Sequence, residues 1–136
     1  MNNKGFTLVE LLAVIVLIGI IGIITVPVVD RIIKDSRKKT ELTNIDIILN
    51  GAYDFAQQNP DRLPKSINGQ SGVDITFTDM VTAGILKEDM IDPTTKSKYK
   101  GTSKVVIKYY STPSSGSNLK NDNNKFFGNY LFTFVK

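Results

Sequence analysis

The stretch Gly5-Phe6-Thr7-Leu8-Val9-Glu10, with the apolar run Leu11–Val29 behind it, decides how the rest of the chain can fold. From Leu11 to Val29 no residue is charged, and Glu10 is the only ionisable side chain between Phe6 and Val29. As a helix rising about 1.5 Å per residue, positions 6–29 reach roughly 35 Å, enough to cross a hydrocarbon core of about 30 Å. A carboxylate in such a segment is costly and asks for a partner. Its place near the end of the run softens that cost. A secretory signal peptide fits poorly, because the core is too long and no small-x-small cleavage site follows Ile24. A plain signal anchor, with Glu10 reaching back to the interface, satisfies hydropathy alone.

The order of letters narrows the reading. Lys4-Gly5-Phe6-Thr7-Leu8-Val9-Glu10-Leu11-Leu12 closely resembles the prepilin signature of the type IV pilin and pseudopilin family: a short basic leader ending in Gly, then Phe, a Glu four positions later, and an unbroken apolar run. The resemblance implies cleavage between Gly5 and Phe6 by a prepilin peptidase on the cytoplasmic side, with N-methylation of Phe6. It further implies that Glu10 neutralises the Phe6 amine of a neighbouring subunit in a filament. Glu10 also lies where the positive end of its own helix dipole favours an acid.

The chain has 136 residues and a net charge of +4, with no Cys and no His. That length holds one anchor and one modest domain. The charge is too mild to imply nucleic acid. Without His, the usual general base and metal ligand are missing, so a catalytic role is not expected and no cofactor or metal is assigned. Many related pilins close a C-terminal loop with a disulfide. This chain departs from them, which fits a Gram-positive or anaerobic source, or a pseudopilin.

Gly19, Gly22 and Pro27 interrupt the apolar helix. Pro27 cannot donate to the Ile23 carbonyl and crowds that turn, so a kink is expected there. The positions of Gly19 and Pro27 also match those where related pilins bend or unwind, which implies a stretch that is helical in the membrane and partly extended in a fibre. From Asp30 the pattern becomes amphipathic, with Ile32, Ile33, Leu42, Ile45, Ile48, Leu49, Ala52, Tyr53 and Ala56 at helical spacing until Asn59-Pro60. The basic cluster Arg31, Lys34, Arg37, Lys38 and Lys39 follows the apolar run directly. The positive-inside rule would put that side in the cytoplasm. The signature, which requires the opposite, is the more specific signal. The cluster reads as a solvated helix face with some attraction to anionic head groups; DNA is a minority reading.

Residues 59–72 read as a polar connector and Val73–Phe77 as a half-buried strand. Thr78-Asp79 is expected to cap a short helix over Met80–Ala83, closed by Gly84. Gly84-Ile85-Leu86, Ile91-Asp92-Pro93 and Tyr99 resemble, more loosely, a segment of major pseudopilins and Gram-positive pilins. Lys104–Tyr110 is a strand; Phe126-Phe127 and Tyr130–Val135 form another, with Gly128-Asn129 as bulge or turn. Ser111–Lys125 is a Gly/Ser/Asn/Pro-rich loop. Calcium at Asp122 or Asp92 is not favoured, since no ligand spacing supports it.

The resulting expectation is an α+β protein with a long N-terminal helix, kinked near Gly19–Pro27, whose C-terminal half packs on a small antiparallel sheet. Its parts are a leader (1–5), a transmembrane or filament-core helix (6–29), an amphipathic helix (30–58) and a head (59–136). The implied role is that of a homopolymeric pilus subunit. The implied partners are a prepilin peptidase, an assembly ATPase and a platform protein, with the membrane before assembly. The alternatives are a competence or secretion pseudopilin and a monomeric membrane-anchored binding protein.

Overall fold

The computed structural model describes residues 5–64, 72–111 and 121–136. It divides into two compact units, 1–37 and 38–136, each described separately below. Helix α1, Leu8–Gln58, contributes to both and continues through Gly19, Gly22 and Pro27.

Within the first unit every described residue is exposed, among them Leu8, Ile15, Leu17, Ile23 and Val26. Apolar side chains point in all directions round the helix axis, as in a segment whose partner is lipid or another helix. By length and composition it can cross a membrane. Near Pro27, the Thr25 hydroxyl donates to the Ile21 carbonyl, four residues back. This is a common side-chain bond where a helix lacks aqueous partners.

The second unit is built on the C-terminal part of α1. Ile45, Ile48, Leu49, Ala52, Phe55 and Ala56 recur every three or four residues and are all buried. That single apolar face is what a sheet can cover. Asn59 ends the helix, its backbone N–H and side-chain amide both donating to the Phe55 carbonyl, at 3.0 and 2.9 Å. Pro60 then opens a short 3-10 turn, Pro60–Arg62.

Strand β1 (Val73–Thr76) leads into helix α2 (Phe77–Thr82), followed by β2 (Lys104–Tyr109), β3 (Asn124–Phe127) and β4 (Tyr130–Val135). The sheet is fully antiparallel in the order β1-β2-β4-β3. Register fixes which residues meet α1: Ile75 pairs with Val105, Val105 with Phe134, and Ile107 with Phe132. All five lie on one pleated face and are buried, joined by Phe77 and Met80 from α2 and by Leu86 and Tyr99. Tyr53 of α1 stacks on Phe127 with centroids 4.3 Å apart, and Phe127 meets Phe132 edge-on.

The expected long helix on a small antiparallel sheet is what the structure shows. Three boundaries move. Helix α2 begins at Phe77 and its cap lies two residues earlier than expected, because Thr76 rather than Thr78 accepts from the Asp79 N–H (3.1 Å) while Asp79 accepts from the Thr76 N–H (3.0 Å). Thr78 is diverted to the Gly101 carbonyl. Phe126-Phe127 and Tyr130–Val135 are two strands, closed by a two-residue turn in which Gly128 takes φ 59°, a left-handed value suited to the first position of a tight hairpin. Asn124 and Lys125, expected in the preceding loop, already pair with β4. Most of that loop, 112–120, lies outside the described residues, as do 1–4 and 65–71 of the leader and connector.

Two polar clasps hold the second unit's helix to its loops and strands. On one flank, Lys136 Nζ bonds both Glu41 and Asp92 (2.8 Å to Asp92), Thr94 donates to both carboxylates, and Asn44 donates to the Ile91 carbonyl. On the other, Lys125 Nζ reaches Asp46 at 2.7 Å and Asn50 at 3.1 Å. Between them Gly51 lets the 85–86 segment close in, since a Cβ there would meet Ile85 at 3.1 Å and Leu86 at 3.2 Å.

Candidate functional site

The residues singled out in the sequence gather at the start of α1. Gly5, Phe6 and Thr7 precede the helix in non-helical backbone. Phe6 is 90% exposed, and nothing lies within 4 Å of a Cβ built on Gly5. The Gly5–Phe6 peptide is therefore an uncovered segment ahead of a rigid helix.

A helix start leaves its first N–H groups without internal partners, a severe defect in apolar surroundings. Here Thr7 and Glu10 supply them. Glu10 Oε2 accepts from the Thr7 N–H at 2.8 Å and from the Thr7 hydroxyl at 2.9 Å, while Thr7 Oγ1 faces the Glu10 N–H at 3.3 Å. This reciprocal pattern is a capping box. Sequence reasoning gave Glu10 a role between chains and missed this one within the chain. The signal was present, because Thr7-Leu8-Val9-Glu10 is a Thr-x-x-Glu ahead of an apolar run.

Both bonds to Glu10 fall on the same oxygen. Among the described residues, Oε1 accepts nothing. The carboxylate is thus oriented by Thr7 through one oxygen and open through the other. Gly19 and Gly22 have no atom near their Cβ positions, and with Pro27 they lie on the exposed part of the helix.

Elsewhere the chemistry is that of structural pairing. Asp92, a weak calcium candidate from sequence, is engaged instead. Burial pushes its carboxyl up, but Lys136 and the Thr94 and Thr95 N–H groups outweigh that and hold it below the usual carboxylate range. Asp122 is exposed. Among the described residues no group of three or more acids comes together.

Comparison with known families gives one match: the prokaryotic N-terminal methylation motif, over residues 1–26. Searches of curated proteins and of solved structures return no match. The matched span contains Gly5, Phe6, the Thr7–Glu10 cap, Gly19 and Gly22, and it stops one residue before Pro27. The chain thus carries the type IV prepilin signature at the head of an apolar helix long enough to span a bilayer.

Proposed function

We propose that the protein is a structural subunit of a type IV pilus or pilus-like fibre, made as a membrane-anchored prepilin. In this reading residues 1–5 are the leader, cleavage falls after Gly5, and the new Phe6 terminus is N-methylated. Residues 6–29 are first a membrane anchor and then part of a filament core. Residues 30–58 carry the helix into the head, 59–136. The observation that carries the proposal is the methylation motif, whose Gly5, Phe6 and Thr7 lie in exposed, non-helical backbone directly before a helix whose apolar side chains from Leu8 to Ile33 are uncovered.

Cleavage creates an ammonium group at Phe6. The open Oε1 of Glu10 is an acceptor for such a cation from a neighbouring subunit, while Thr7 keeps the carboxylate in place. Pairing removes both charges from the cost of packing apolar helices together, and so favours one axial register over its neighbours. Pro27 leaves the Ile23 carbonyl without its helical partner, making the Gly19–Pro27 stretch the cheapest place for α1 to lengthen during packing. No step needs a catalytic group in this chain. Cleavage and methylation fall to a prepilin peptidase, and force to an assembly ATPase acting with a platform protein.

The deciding measurement is the intact mass of the mature protein from its native host. Loss of Met1–Gly5 with gain of one methyl group is expected; an intact N-terminus would leave only a plain membrane anchor. Negative-stain microscopy of wild-type and deletion cells then tests polymerisation.

A further inference from the structure

The basic residues after the apolar run take no part in the reading above. Arg31, Lys34 and Arg37 are spaced three apart on α1, so they share one broad face of the helix. All three are exposed, and among the described residues none makes an ion pair. Asp30 lies on the same face and Asp35 on its flank, yet neither closes a bridge to them. In sequence the cluster continues with Lys38 and Lys39, so the stretch 30–39 carries an excess of positive charge.

Position gives the cluster its partner. The uncharged run Leu11–Val29 is about 28 Å long as a helix, which matches one hydrocarbon core and puts the boundary near Val29. Arg31 then lies about 3 Å beyond that boundary, Lys34 about 8 Å and Arg37 about 12 Å. The head-group layer is roughly 5–7 Å thick on each side, and the Debye length at physiological salt is about 8 Å. Helical side chains also lean towards the N-terminus, which here means back towards the bilayer. All three cations therefore reach lipid phosphates or lie within their field.

We infer that Arg31, Lys34 and Arg37 form a binding stripe for anionic phospholipid head groups, holding the precursor at a fixed depth in the bilayer until it is extracted. The inference rests on the membrane-anchored part of the proposed function and is independent of polymerisation. It also accounts for a positive cluster on the side that the prepilin reading places outside. There its counter-charge is lipid, and leaving the bilayer means giving that up.

The test uses the full chain in vesicles. Because the sequence has no cysteine, Ser36→Cys gives one labelling site on the exposed helix. A fluorescent donor at that site is paired with acceptor-labelled phosphatidylglycerol or acceptor-labelled phosphatidylcholine at equal density. Energy transfer to phosphatidylglycerol is expected to exceed that to phosphatidylcholine, and the enrichment to fall by at least about fivefold in Arg31→Gln/Lys34→Gln/Arg37→Gln, as it should in high salt. Equal transfer to the two lipids in the unmodified stripe, or a preference unchanged in the triple variant, would overturn the lipid contact. Alkaline extraction separates the causes. A protein that stays in the vesicles without lipid preference refutes the stripe alone, whereas one washed out refutes the bilayer anchor beneath it.

Discussion

Helix α1 is one element with two environments. From Leu8 to Thr40 no residue is buried, although most of Leu8–Val29 is aliphatic; from Ile45 to Ala56 seven residues are buried, and charged ones alternate with them. The later stretch carries one apolar stripe, and the sheet of its own chain covers it. The earlier stretch is apolar all round, and no sheet can cover every side of a helix. In our proposal its partners come from outside the chain, first lipid and then other copies. Thr76 and Asp79 cap α2, a helix outside α1, in the same reciprocal way that Thr7 and Glu10 cap the start of α1, and in each the acid accepts through a single carboxylate oxygen.

The largest expected effect falls on the uncovered stretch. Glu10→Val should abolish surface fibres while leaving the protein in the membrane fraction; normal fibre counts by negative stain would remove Glu10 from assembly. On the covered stretch the effect is on stability. Phe132, fully buried between the sheet and α1, should cost about 3–5 kcal/mol when replaced by Ala. Denaturant unfolding of the detergent-solubilised full chain checks this, and membrane retention should not change. Failure of retention in Phe132→Ala would mean that the two stretches are not independent.

Smaller is the clasp at Lys136. Lys136→Met strands the nearly buried Asp92 carboxylate and should cost about 1–3 kcal/mol near neutral pH. The hydrogen bond from Lys136, then that from Thr94, holds the Glu41 carboxyl below the usual carboxylate range, and Lys136 and Thr94 do the same for Asp92 against its burial. Depressed carboxylates contribute stability above their unfolded pKa and lose it as pH falls through the folded one. Wild-type stability should therefore drop on acidification below about pH 5, and the gap to Lys136→Met should close there. A gap constant with pH would make the clasp a packing contact rather than an ionic one. Smallest is Thr76→Ala, expected to cost about 1 kcal/mol by removing the α2 cap. A cost equal to that of Thr78→Ala would restore the cap position first read from sequence.

What could be read in advance divides along physical lines. Periodicity reported α1 and its end at Gln58, because burial of Ile45, Ile48, Leu49 and Ala52 imposes a repeat visible in the letters. Ile32 and Ile33 fit the same repeat but are exposed, since spacing records a face and not its cover. Phe55 was passed over although it lies on that face. The clasps were illegible: Glu41, Asp92 and Lys136 are far apart in sequence, and only the sheet order brings them together. At the N-terminus, motif reasoning singled out Gly5, Phe6 and Glu10, the residues on which the proposed function rests. It overlooked Thr7, because attention to a partner in another chain hid the local one.

The sheet order also sets a timetable. β4 follows β3 in the chain, yet it lies between β2 and β3 and pairs with both. Phe132, which closes over the α1 face, emerges roughly 80 residues after Ile48, some 4–17 s later at about 5–20 residues per second. In our proposal the apolar N-terminus is by then already in the membrane. Until β4 is made, the head stays open, with Ile48 and Ala52 unsheltered. Loss of β4 should leave the α1 face open, so its synthesis is the point at which the head can close.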